Sequence, residues 1–484
     1  MNIRLCFYIV GTFLIFLGLI LIVPVVCSFI YGDGDHYAFL ISAGITLTAG
    51  FILKELNKKS QNITEINRKE AFLIAFLCWI TACLFGSLPY LLIPVFTSPI
   101  DAIFESVAGF TTTGSSVIDN IEAQTHGLLF YRSFTQWLGG MGIIVLGIAV
   151  LPRLSVGGMQ LMGSEAPGPV TEKLTPKIAK TAKKLWIVYI GFSLLLIMLL
   201  LVCGMPLFDS IVTSFSTLST GGFSIKNASI GGYNSPLIEL VITLFMFLAG
   251  VNFLLHYLLF TGKFRRVFRD SELRLFVALV FIFIVIVCGD LWINRYYGLV
   301  DALRYSSFQV VSIITTTGFS SVDFEPWPIY TVFIMFMLMF IGACAGSTSG
   351  SIKVLRILIL LKKSFREINT LIKPRAVLPV RINQKVVSDN VISSVTSFFL
   401  LYIFIFAFSV VMILTFEEIS ILGALSTTAA SLGNVGPAFE EFGPTHSYFF
   451  LSGFSKLWLC LLMIIGRLEL YTVLVIFTPM FWQK

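Results

Sequence analysis

Charged residues are scarce in this chain: only 12% of its 484 residues are Asp, Glu, Lys or Arg, while 57% are hydrophobic. Soluble globular domains carry about 25% charged residues, so the composition excludes the roughly three soluble domains that the length alone would suggest. Apolar runs of about 18 residues or more, each long enough to cross a bilayer core about 30 Å thick, recur along the whole chain. We therefore expect an integral membrane protein.

The chain also lacks the residue clusters that a metal site, a disulfide framework or a catalytic centre requires. Its four histidines are scattered, and its eight cysteines lie nearly all inside apolar segments without a CxxC pair. This distribution favours small packed cysteines over disulfides or metal ligands. A membrane-embedded enzyme would need paired acids or a metal cluster at the membrane edge, and no such group is visible in the sequence. We expect no enzymatic activity and no cofactor.

Ten apolar stretches are long enough to be transmembrane helices. The first is too long for the apolar core of a signal peptide, which has about 7–15 residues. The eighth is interrupted by a glycine-rich segment, so we expect that helix to be broken within the membrane. The stretches cover residues 5–30, 37–55, 70–95, 127–151, 184–205, 235–261, 272–298, 328–361, 391–416 and 452–481.

Basic residues are concentrated on one side of this arrangement. Four segments (residues 54–69, 152–184, 262–274 and 353–385) hold most of the 33 Lys and Arg residues, and the ten spans would place all four on the same side. Short basic loops mark the cytoplasmic side, and the opposite loops are rich in Asp and Glu. We interpret the basic loops as signs of topology and lipid contact, with no sign of nucleic-acid binding.

Four loops on the acidic side follow one plan, which indicates an internal repeat. Each follows a spanning helix and a short apolar segment, contains a Thr/Ser/Gly cluster, and is followed by another spanning helix. The clusters are GFTTTGS at 109–115, LSTGGF at 218–223, ITTTGF at 314–319 and LGNVGP at 432–437. The unit is therefore helix, half-helix, glycine loop, helix, repeated four times from about residue 70 to the end.

Such loops have the composition of a cation filter. Non-helical backbone at membrane depth is tolerated where it lines a watery cavity, and rings of carbonyl oxygens can replace the water around a cation. Glycine permits the backbone angles that turn carbonyls toward an axis, and the half-helices point their partly negative ends at the cavity. The predicted potassium-binding residues are Thr112, Thr113, Gly114, Thr220, Gly221, Gly222, Thr316, Thr317, Gly318, Asn434, Val435 and Gly436. In the fourth loop, Gly433 competes with Gly436 for the filter position.

At these residues the sequence resembles the TrkH/KtrB (Trk/Ktr/HKT) superfamily of potassium transporters. The extra N-terminal helix pair is similar to the TrkH branch, and Ser351 departs from the second glycine that is more usual after Gly350; it could stiffen that loop. The resemblance covers nearly the whole chain and includes WLGGMG at 137–142, GMQL at 158–161, APGP at 166–169, EKLTP at 172–176, AGVNF at 249–253, GACAGSTSG at 342–350 and GRLEL at 466–470.

The resemblance implies a potassium-channel-like, all-α polytopic membrane protein with ten transmembrane helices and four helix–pore loop–helix repeats around one pore. It further implies a homodimer in the bacterial inner membrane, with the filter loops outside and a cytosolic TrkA-type nucleotide-binding subunit below. The predicted parts are a helix pair (1–60) and pore repeats one to four (61–160, 161–265, 266–385 and 386–484).

The interrupted eighth span is the predicted gate. Its glycines and small residues favour either close helix packing or, as the resemblance implies, a flexible gating loop below the filter. The gating residues are Gly346, Ser347, Thr348, Ser349, Gly350 and Arg467. Arg467 lies inside the last span, where an ionisable residue faces a cavity or a partner; the sequence leaves open a structural ion pair or an electrostatic barrier in the pore.

Four other polar residues have less specific interpretations. We expect Trp137 and Asn252 to be packing or hydrogen-bonding positions. Lys353 and Arg356 would snorkel to the cytoplasmic interface or, alternatively, couple the gate to the cytosolic partner. The function expected is potassium uptake through a selective gated pore, and a sodium- or proton-coupled symporter on the same scaffold remains an alternative.

Overall fold

The computed structural model of the chain is mostly helical and describes residues 1–58, 67–96, 98–142, 178–374, 376 and 378–483. The N-terminal helices are α1 (Ile3–Ile20), α2 (Ile22–Tyr31) and α3 (His36–Leu56). α1 packs along α3 and against the first repeat. Gly11 and Gly50 face each other at this contact, where a Cβ on either would overlap the backbone of the other helix. Small residues allow such close helix packing.

The first repeat contains the pattern that the other three follow. Its helices are α4 (Arg68–Gly86), α5 (Leu88–Leu92), α6 (Pro99–Phe110) and α7 (His126–Gly140). α6 begins at the Ser98 side-chain cap, which accepts a hydrogen bond from the N–H of Ile100. At 1.5 Å per residue, its length of about 18 Å is too short to cross the bilayer core. α6 is therefore a half-helix whose C-terminal end leads into the first glycine loop.

The second repeat has the same order but a bent final helix. Its α-helices are α8 (Ile178–Val202), the half-helix α9 (Leu207–Leu218), α10 (Pro236–Gly250), α11 (Phe253–Phe260) and α12 (Phe264–Phe268), with a 3-10 helix at Ser229–Tyr233. The chain turns by 100° between α10 and α11. The Asn252 side chain caps α11 by accepting the N–H of Leu254 at 2.9 Å.

The third repeat contains the broken span. Its elements are α13 (Ser271–Ile293), the half-helix α14 (Leu299–Ile314), α15 (Ile329–Leu338), α16 (Val354–Ile372) and an antiparallel hairpin of β1 (Arg381–Ile382) and β2 (Lys385–Val386). The non-helical segment between α15 and α16 contains residues 342–350, as the sequence predicts.

The fourth repeat ends the chain. Its α-helices are α17 (Asp389–Phe416), the half-helix α18 (Ile421–Gly433), α19 (Gly453–Leu468), α20 (Leu470–Leu474) and α21 (Pro479–Trp482), with 3-10 helices at Glu440–Phe442 and Val475–Phe477. α19 and the segment after it form an angle of 112° at Glu469, where the backbone has a φ of 60°.

Within the described ranges, six helices are long and apolar enough to cross a membrane, and the two bent pairs could each form one more span. These eight correspond to eight of the ten expected stretches. The other two correspond to α7, which ends at Gly140 shortly before the undescribed residues 143–177, and to the broken α15–α16 segment. The spans expected at 235–261 and 452–481 correspond to the two bent pairs, so each contains a bend that the sequence did not indicate.

The repeats pack in sequence around a centre. α9 lies against α7, α14 lies against α10, and α6 lies against α19, so each of these half-helices contacts the helix that follows the preceding glycine loop. The contact of α6 with α19 joins the first repeat to the fourth. This packing directs the C-terminal ends of the half-helices and the loops after them to the same central region.

Candidate selectivity filter and gate

The four glycine loops have the same backbone conformation. Each loop contains three predicted filter residues, and the first of the three has a left-handed backbone. Its φ is 54° at Thr112, 53° at Thr220, 56° at Thr316 and 53° at Asn434. The third residue is a glycine that is also left-handed, with φ of 86° at Gly114, 79° at Gly222, 79° at Gly318 and 105° at Gly436. Alternation of this kind turns successive carbonyl groups to the same side of a strand, as a carbonyl filter requires.

The loops form a closed ring. A Cβ at Gly114 would overlap the carbonyl oxygen of Gly221, and a Cβ at Gly222 would overlap that of Thr317. Likewise, Gly318 faces the carbonyl oxygen of Val435. A Cβ at Gly436 would lie 2.6 Å from the carbonyl oxygen of Thr113, so the fourth loop contacts the first. The structure therefore brings all the predicted filter residues together in one ring.

The register of the fourth loop follows from these positions. Gly436 is left-handed and faces the first loop, as the glycines of the other loops face their neighbours. Gly433 is the last residue of α18 and lies before the loop. Asn434 takes the position of Thr112, and asparagine tolerates the left-handed backbone better than most residues. Gly436, and not Gly433, has the geometry of the other three glycines.

Side chains distinguish the loops from one another. The hydroxyl groups of Thr111 and Thr113 bond at 2.8 Å, and those of Thr315 and Thr317 bond at the same distance. The Asn434 amide instead donates to Thr113 Oγ1 and to the carbonyl of Met463, both at 2.9 Å. The ring is therefore only approximately four-fold, as the unequal sequences predict.

The segment of residues 342–350, which we call the gating loop, lies directly against the ring. The N–H of Gly350 donates to Thr316 Oγ1 at 2.7 Å, and Thr348 Oγ1 donates to the carbonyl of Leu218 at 3.1 Å. A Cβ at Gly350 would overlap the carbonyl oxygen of Gly433. The gating loop thus contacts the ends of three half-helices or their glycine loops. Its Gly346–Gly350 segment contains the predicted gating residues Ser347 and Ser349, whose hydroxyl groups bond to each other at 2.8 Å.

Arg467 joins the gating loop to α7. Its guanidinium donates from Nη1 to the carbonyl of Thr348 at 2.7 Å and from Nη2 to the carbonyls of Gly139 and Gly140, at 2.5 and 3.1 Å. The side chain is half-buried at the end of α19. A positive charge tied to the gating loop below a carbonyl ring can both oppose cation passage and hold the loop in place.

A family model described as TrkH, a cation transport protein, matches residues 37–484. The chain belongs to the TrkH family. It is similar to the Trk system potassium uptake protein TrkH of Halomonas elongata (39% identity over 487 residues) and to that of Escherichia coli K12 (37% over 496 residues), in each case over 100% of both chains. It also matches the crystal structure of the potassium transporter TrkH from Vibrio parahaemolyticus, with a TM-score of 0.90, 34% identity and 100% coverage of both chains.

Membership of the TrkH family confirms a polytopic helical membrane protein with pore-loop helices and a transport function instead of an enzymatic one. Three of the segments that carry the sequence resemblance, at 158–161, 166–169 and 172–176, lie outside the described residues. Part of the predicted basic loop at 152–184 lies there as well.

Sequence reasoning missed a buried ion pair behind this TrkH-family ring. Arg132 on α7 and Glu105 on α6 are 1% and 0% exposed, and their side chains meet at 2.7 Å. Arg132 also donates to Ser116 Oγ at 3.0 Å and to the carbonyl of Ser224 at 3.1 Å. Its guanidinium lies 4.2 Å from the centroid of the Phe223 ring. The pair therefore holds Ser116, which follows the first glycine loop, and Ser224, which follows the second.

The signal for this pair was present in the sequence, because Arg132 is an ionisable residue inside a predicted span. Two further buried acids form ion pairs between neighbouring repeats. Arg304 on the half-helix α14 bonds Glu239 on α10 through two hydrogen bonds of 2.7 and 2.5 Å. Lys456 on α19 pairs with Asp101 on the half-helix α6 at 2.6 Å. Ion pairs thus join the second repeat to the third and the fourth to the first.

A cavity of about 290 Å³ opens above the ring. Its lining includes Gly114, Gly222, Gly318 and Gly436 together with Asp119, Glu441 and Lys226. Burial disfavours the charge of Glu441, but hydrogen bonds from its own backbone and from Ser420 outweigh burial and lower its pKa. Glu441 is therefore ionised at neutral pH and contributes negative potential at the mouth.

The snorkelling interpretation of Arg356 is wrong. Arg356 is buried, forms an ion pair with Glu469, and lies 4.0 Å from the centroid of the Phe398 ring. Lys353 turns back toward the gating loop and donates to the carbonyl of Ser349. The carbonyl oxygen of Ser349 holds Lys353 inward, and the carboxylate of Glu469 holds Arg356 inward.

The remaining polar residues that the sequence singled out make hydrogen bonds, as expected. Trp137 Nε1 donates to Ser193 Oγ at 3.0 Å, and Asn252 caps α11 beside Gly346. Ser351 has a left-handed backbone with a φ of 53°, and its hydroxyl donates to the carbonyl of Met339. It therefore ties the end of the gating loop to the chain that follows α15.

Proposed function

We propose that this chain carries K⁺ into the cell across the bacterial inner membrane through a selective, gated pore, as the membrane subunit of a Trk-type system. The observation that carries the proposal is the closed ring of four loops with alternating left-handed backbone. Backbone carbonyls in such a ring bind a dehydrated cation without a fixed charge that would trap it.

Three further observations support K⁺ as the transported ion. The curated relatives in Halomonas elongata and Escherichia coli are named Trk system potassium uptake proteins. Each of the four loops contains a glycine at the same backbone position, so no loop narrows the ring with a side chain there. The mouth also carries an ionised carboxylate at Glu441. K⁺ is the cargo of the pore and not a resident cofactor, and we expect no other cofactor on this chain.

The gating loop is the part of the pore that would open and close. Hydrogen bonds to Thr316 and Leu218 place it against the ring, and Arg467 ties it to α7. Any movement of this loop would change the path directly below the ring. Residues 346–350 and Arg467 are therefore the proposed gate.

The proposed assembly is a homodimer with one pore in each subunit. The basic segments face the cytoplasm, where a TrkA-type nucleotide-binding subunit would dock, and the filter loops face outside. Membrane lipids surround the apolar helices, and nucleic acid is not a partner.

Flux through purified protein in liposomes tests the proposal. K⁺ flux is measured under a K⁺ gradient alone and then with an added Na⁺ or pH gradient, with protein-free liposomes as a blank. A deletion of residues 345–349 provides an open-gate reference in case the wild type is closed without its partner. Flux driven by the K⁺ gradient alone supports a channel-like pore, whereas flux that requires Na⁺ or H⁺ supports a symporter. Absence of K⁺ flux in both proteins under all gradients would overturn the proposal.

A further inference from the structure

Glu272 connects two parts of the broken span. It lies in the first turn of α13, and only 6% of its surface is exposed. Its Oε1 accepts the backbone N–H of Ala345 at 2.6 Å and that of Leu355 at 3.1 Å. Ala345 belongs to the gating loop and Leu355 to the first turn of α16. A single carboxylate oxygen thus holds the gating loop and the helix that follows it.

Two other contacts at this part of the gating loop come from the backbone. The N–H of Cys344 donates to the carbonyl of Gly250 at 3.0 Å, and the N–H of Phe253 donates to the carbonyl of Gly346 at 3.1 Å. These bonds persist when a side chain is changed. Glu272 is therefore a contact of the loop that a substitution can remove without altering the loop itself.

The β1–β2 hairpin fixes the end of α13 that carries Glu272. Asn383 at the hairpin turn donates from Nδ2 to Asp270 Oδ2 at 2.7 Å and accepts the N–H of Ser271 at 2.7 Å. Asp270 also caps α13 by accepting the N–H of Leu273 at 2.8 Å. The hairpin turn is therefore hydrogen-bonded to the start of α13, and Glu272 lies two residues after the capping Asp270.

Apolar packing follows the same route. Val380, Ile382 and Val387 from the hairpin form a buried cluster with Leu355 and Ile359 of α16. Ala345 of the gating loop and Leu275 of α13 pack against this cluster. The outer side of the hairpin, including Arg381 and Lys385, is exposed. The hairpin therefore connects an exposed basic surface with the base of the gating loop.

We propose that Glu272 is a positioning residue for the gate, which holds the gating loop in its closed position, and that the hairpin holds Glu272 in place through Asn383. The proposal rests on the proposed function of the gating loop. A contact on the exposed side of the hairpin would then reach the pore through α13.

Two substitutions of Glu272 test this role by flux. Glu272→Ala removes the acceptor, so basal K⁺ flux should rise several-fold with unchanged selectivity for K⁺ over Na⁺. Glu272→Gln keeps an acceptor oxygen and should restore flux to near the wild-type value. Glu239→Ala is the matched control, because it removes a buried first-turn glutamate whose partner is Arg304 instead of the gating loop. Equal flux in wild type and Glu272→Ala, or a rise of the same size in Glu239→Ala, would overturn the proposal.

Cys344 provides a measurement that does not depend on conduction. It lies in the gating loop and is 0% exposed, so a maleimide should modify it slowly in the wild-type protein. Mass spectrometry of peptides should show several-fold faster modification of Cys344 in Glu272→Ala, wild-type rates in Glu272→Gln, and unchanged rates at Cys83 on α4. Unchanged protection of Cys344 in Glu272→Ala would overturn the role of Glu272. Protein without K⁺ flux that shows the expected labelling would overturn only the proposed function.

The hairpin link has its own variants, which avoid the buried site. Asn383→Gly removes both side-chain bonds and keeps the left-handed backbone, whose φ is 47° and which glycine adopts without strain. Gln384→Gly makes the same change at the next turn position, where φ is 67°. Labelling of Cys344 should accelerate in Asn383→Gly and not in Gln384→Gly. Equal rates in the two variants would remove the hairpin from the route.

Discussion

At the scale of single residues, the identity of Gly221 is explained by the side chain behind it. The equivalent positions of the other loops carry Thr113, Thr317 and Val435, but a Cβ at Gly221 would overlap the amide of Gln136. Gln136 donates from Nε2 to the carbonyl of Gly221 at 2.6 Å and accepts the N–H of Phe223 at 3.0 Å. Sequence patterns could not show this reason, because Gln136 lies 85 residues away in the chain.

The filter glycines lead to a prediction about Gly318. Its φ of 79° is unfavourable for any other residue, and a Cβ there would overlap the carbonyl oxygen of Val435. Gly318→Ser should therefore distort the ring and lower the selectivity for K⁺ over Na⁺ several-fold. Reversal potentials under K⁺ and Na⁺ gradients measure this change.

Gly298→Ser is the matched control for this substitution. Gly298 precedes α14, and a Cβ there meets no other atom within 4 Å. The selectivity of Gly298→Ser for K⁺ over Na⁺ should equal that of the wild type. Preserved selectivity in Gly318→Ser would show that this glycine does not belong to the filter.

The buried Arg132–Glu105 pair predicts a loss of stability. Removal of one partner from a buried pair leaves an uncompensated charge and costs about 3–5 kcal/mol. Arg132→Met should therefore lower the thermal stability of the purified protein strongly, whereas adding Glu105→Gln should recover part of the loss because no charge then remains. Additive losses in the double variant would contradict coupling between the two side chains.

Arg467 leads to a prediction about flux. Arg467→Ala removes the bonds to Thr348 and to the end of α7, so K⁺ flux should rise. Arg467→Lys keeps the charge but loses the planar fork that bonds several carbonyls. Higher flux in Arg467→Ala alone would indicate an electrostatic barrier. Higher flux in both variants would indicate that the hydrogen bonds of Arg467 hold the gating loop. Lower flux with normal protein abundance would contradict both roles.

At the scale of whole elements, the bends are what hydropathy could not predict. A hydropathy average does not depend on direction, so it indicates that 235–261 and 452–481 are apolar enough to span without showing that either one bends. Both bends lie at polar residues inside apolar runs: Asn252 caps α11, and Glu469 pairs with Arg356. Polar residues at these positions were visible in the sequence, but their partners are distant in the chain.

The gating loop gives a prediction at the element scale. Deletion of residues 345–349 removes the bonds that Thr348 makes to Leu218 and that Arg467 makes to the loop. The variant should remain abundant in the membrane and show a higher flux that responds less to the proposed cytosolic subunit. Flux assays in cells and in liposomes, normalised to protein abundance, measure this effect. Unchanged flux with unchanged regulation would contradict a gating role.

At the scale of the whole molecule, the repeat was predictable and its closure was not. Glycines, hydroxyl residues and flanking spans marked each loop in the sequence, and the structure has all four between a half-helix and a following helix. Their mutual contacts, from Gly114 to Gly221 and finally from Gly436 to Thr113, depend on the packing of distant segments. The ion pair of Lys456 and Asp101, which joins the fourth repeat to the first, was not predicted for the same reason, because the two residues are 355 positions apart in the chain.

The position of bound ions tests the central claim most directly. Crystals of the full chain soaked in Tl⁺ or Rb⁺, which substitute for K⁺, would show these ions by anomalous scattering. The ring predicts peaks on its axis, surrounded by the carbonyl oxygens of Thr113, Gly221, Thr317 and Val435, and weaker peaks in Gly318→Ser. Well-ordered loops without a peak on that axis at saturating Tl⁺ would contradict the assignment of these four loops as the potassium filter.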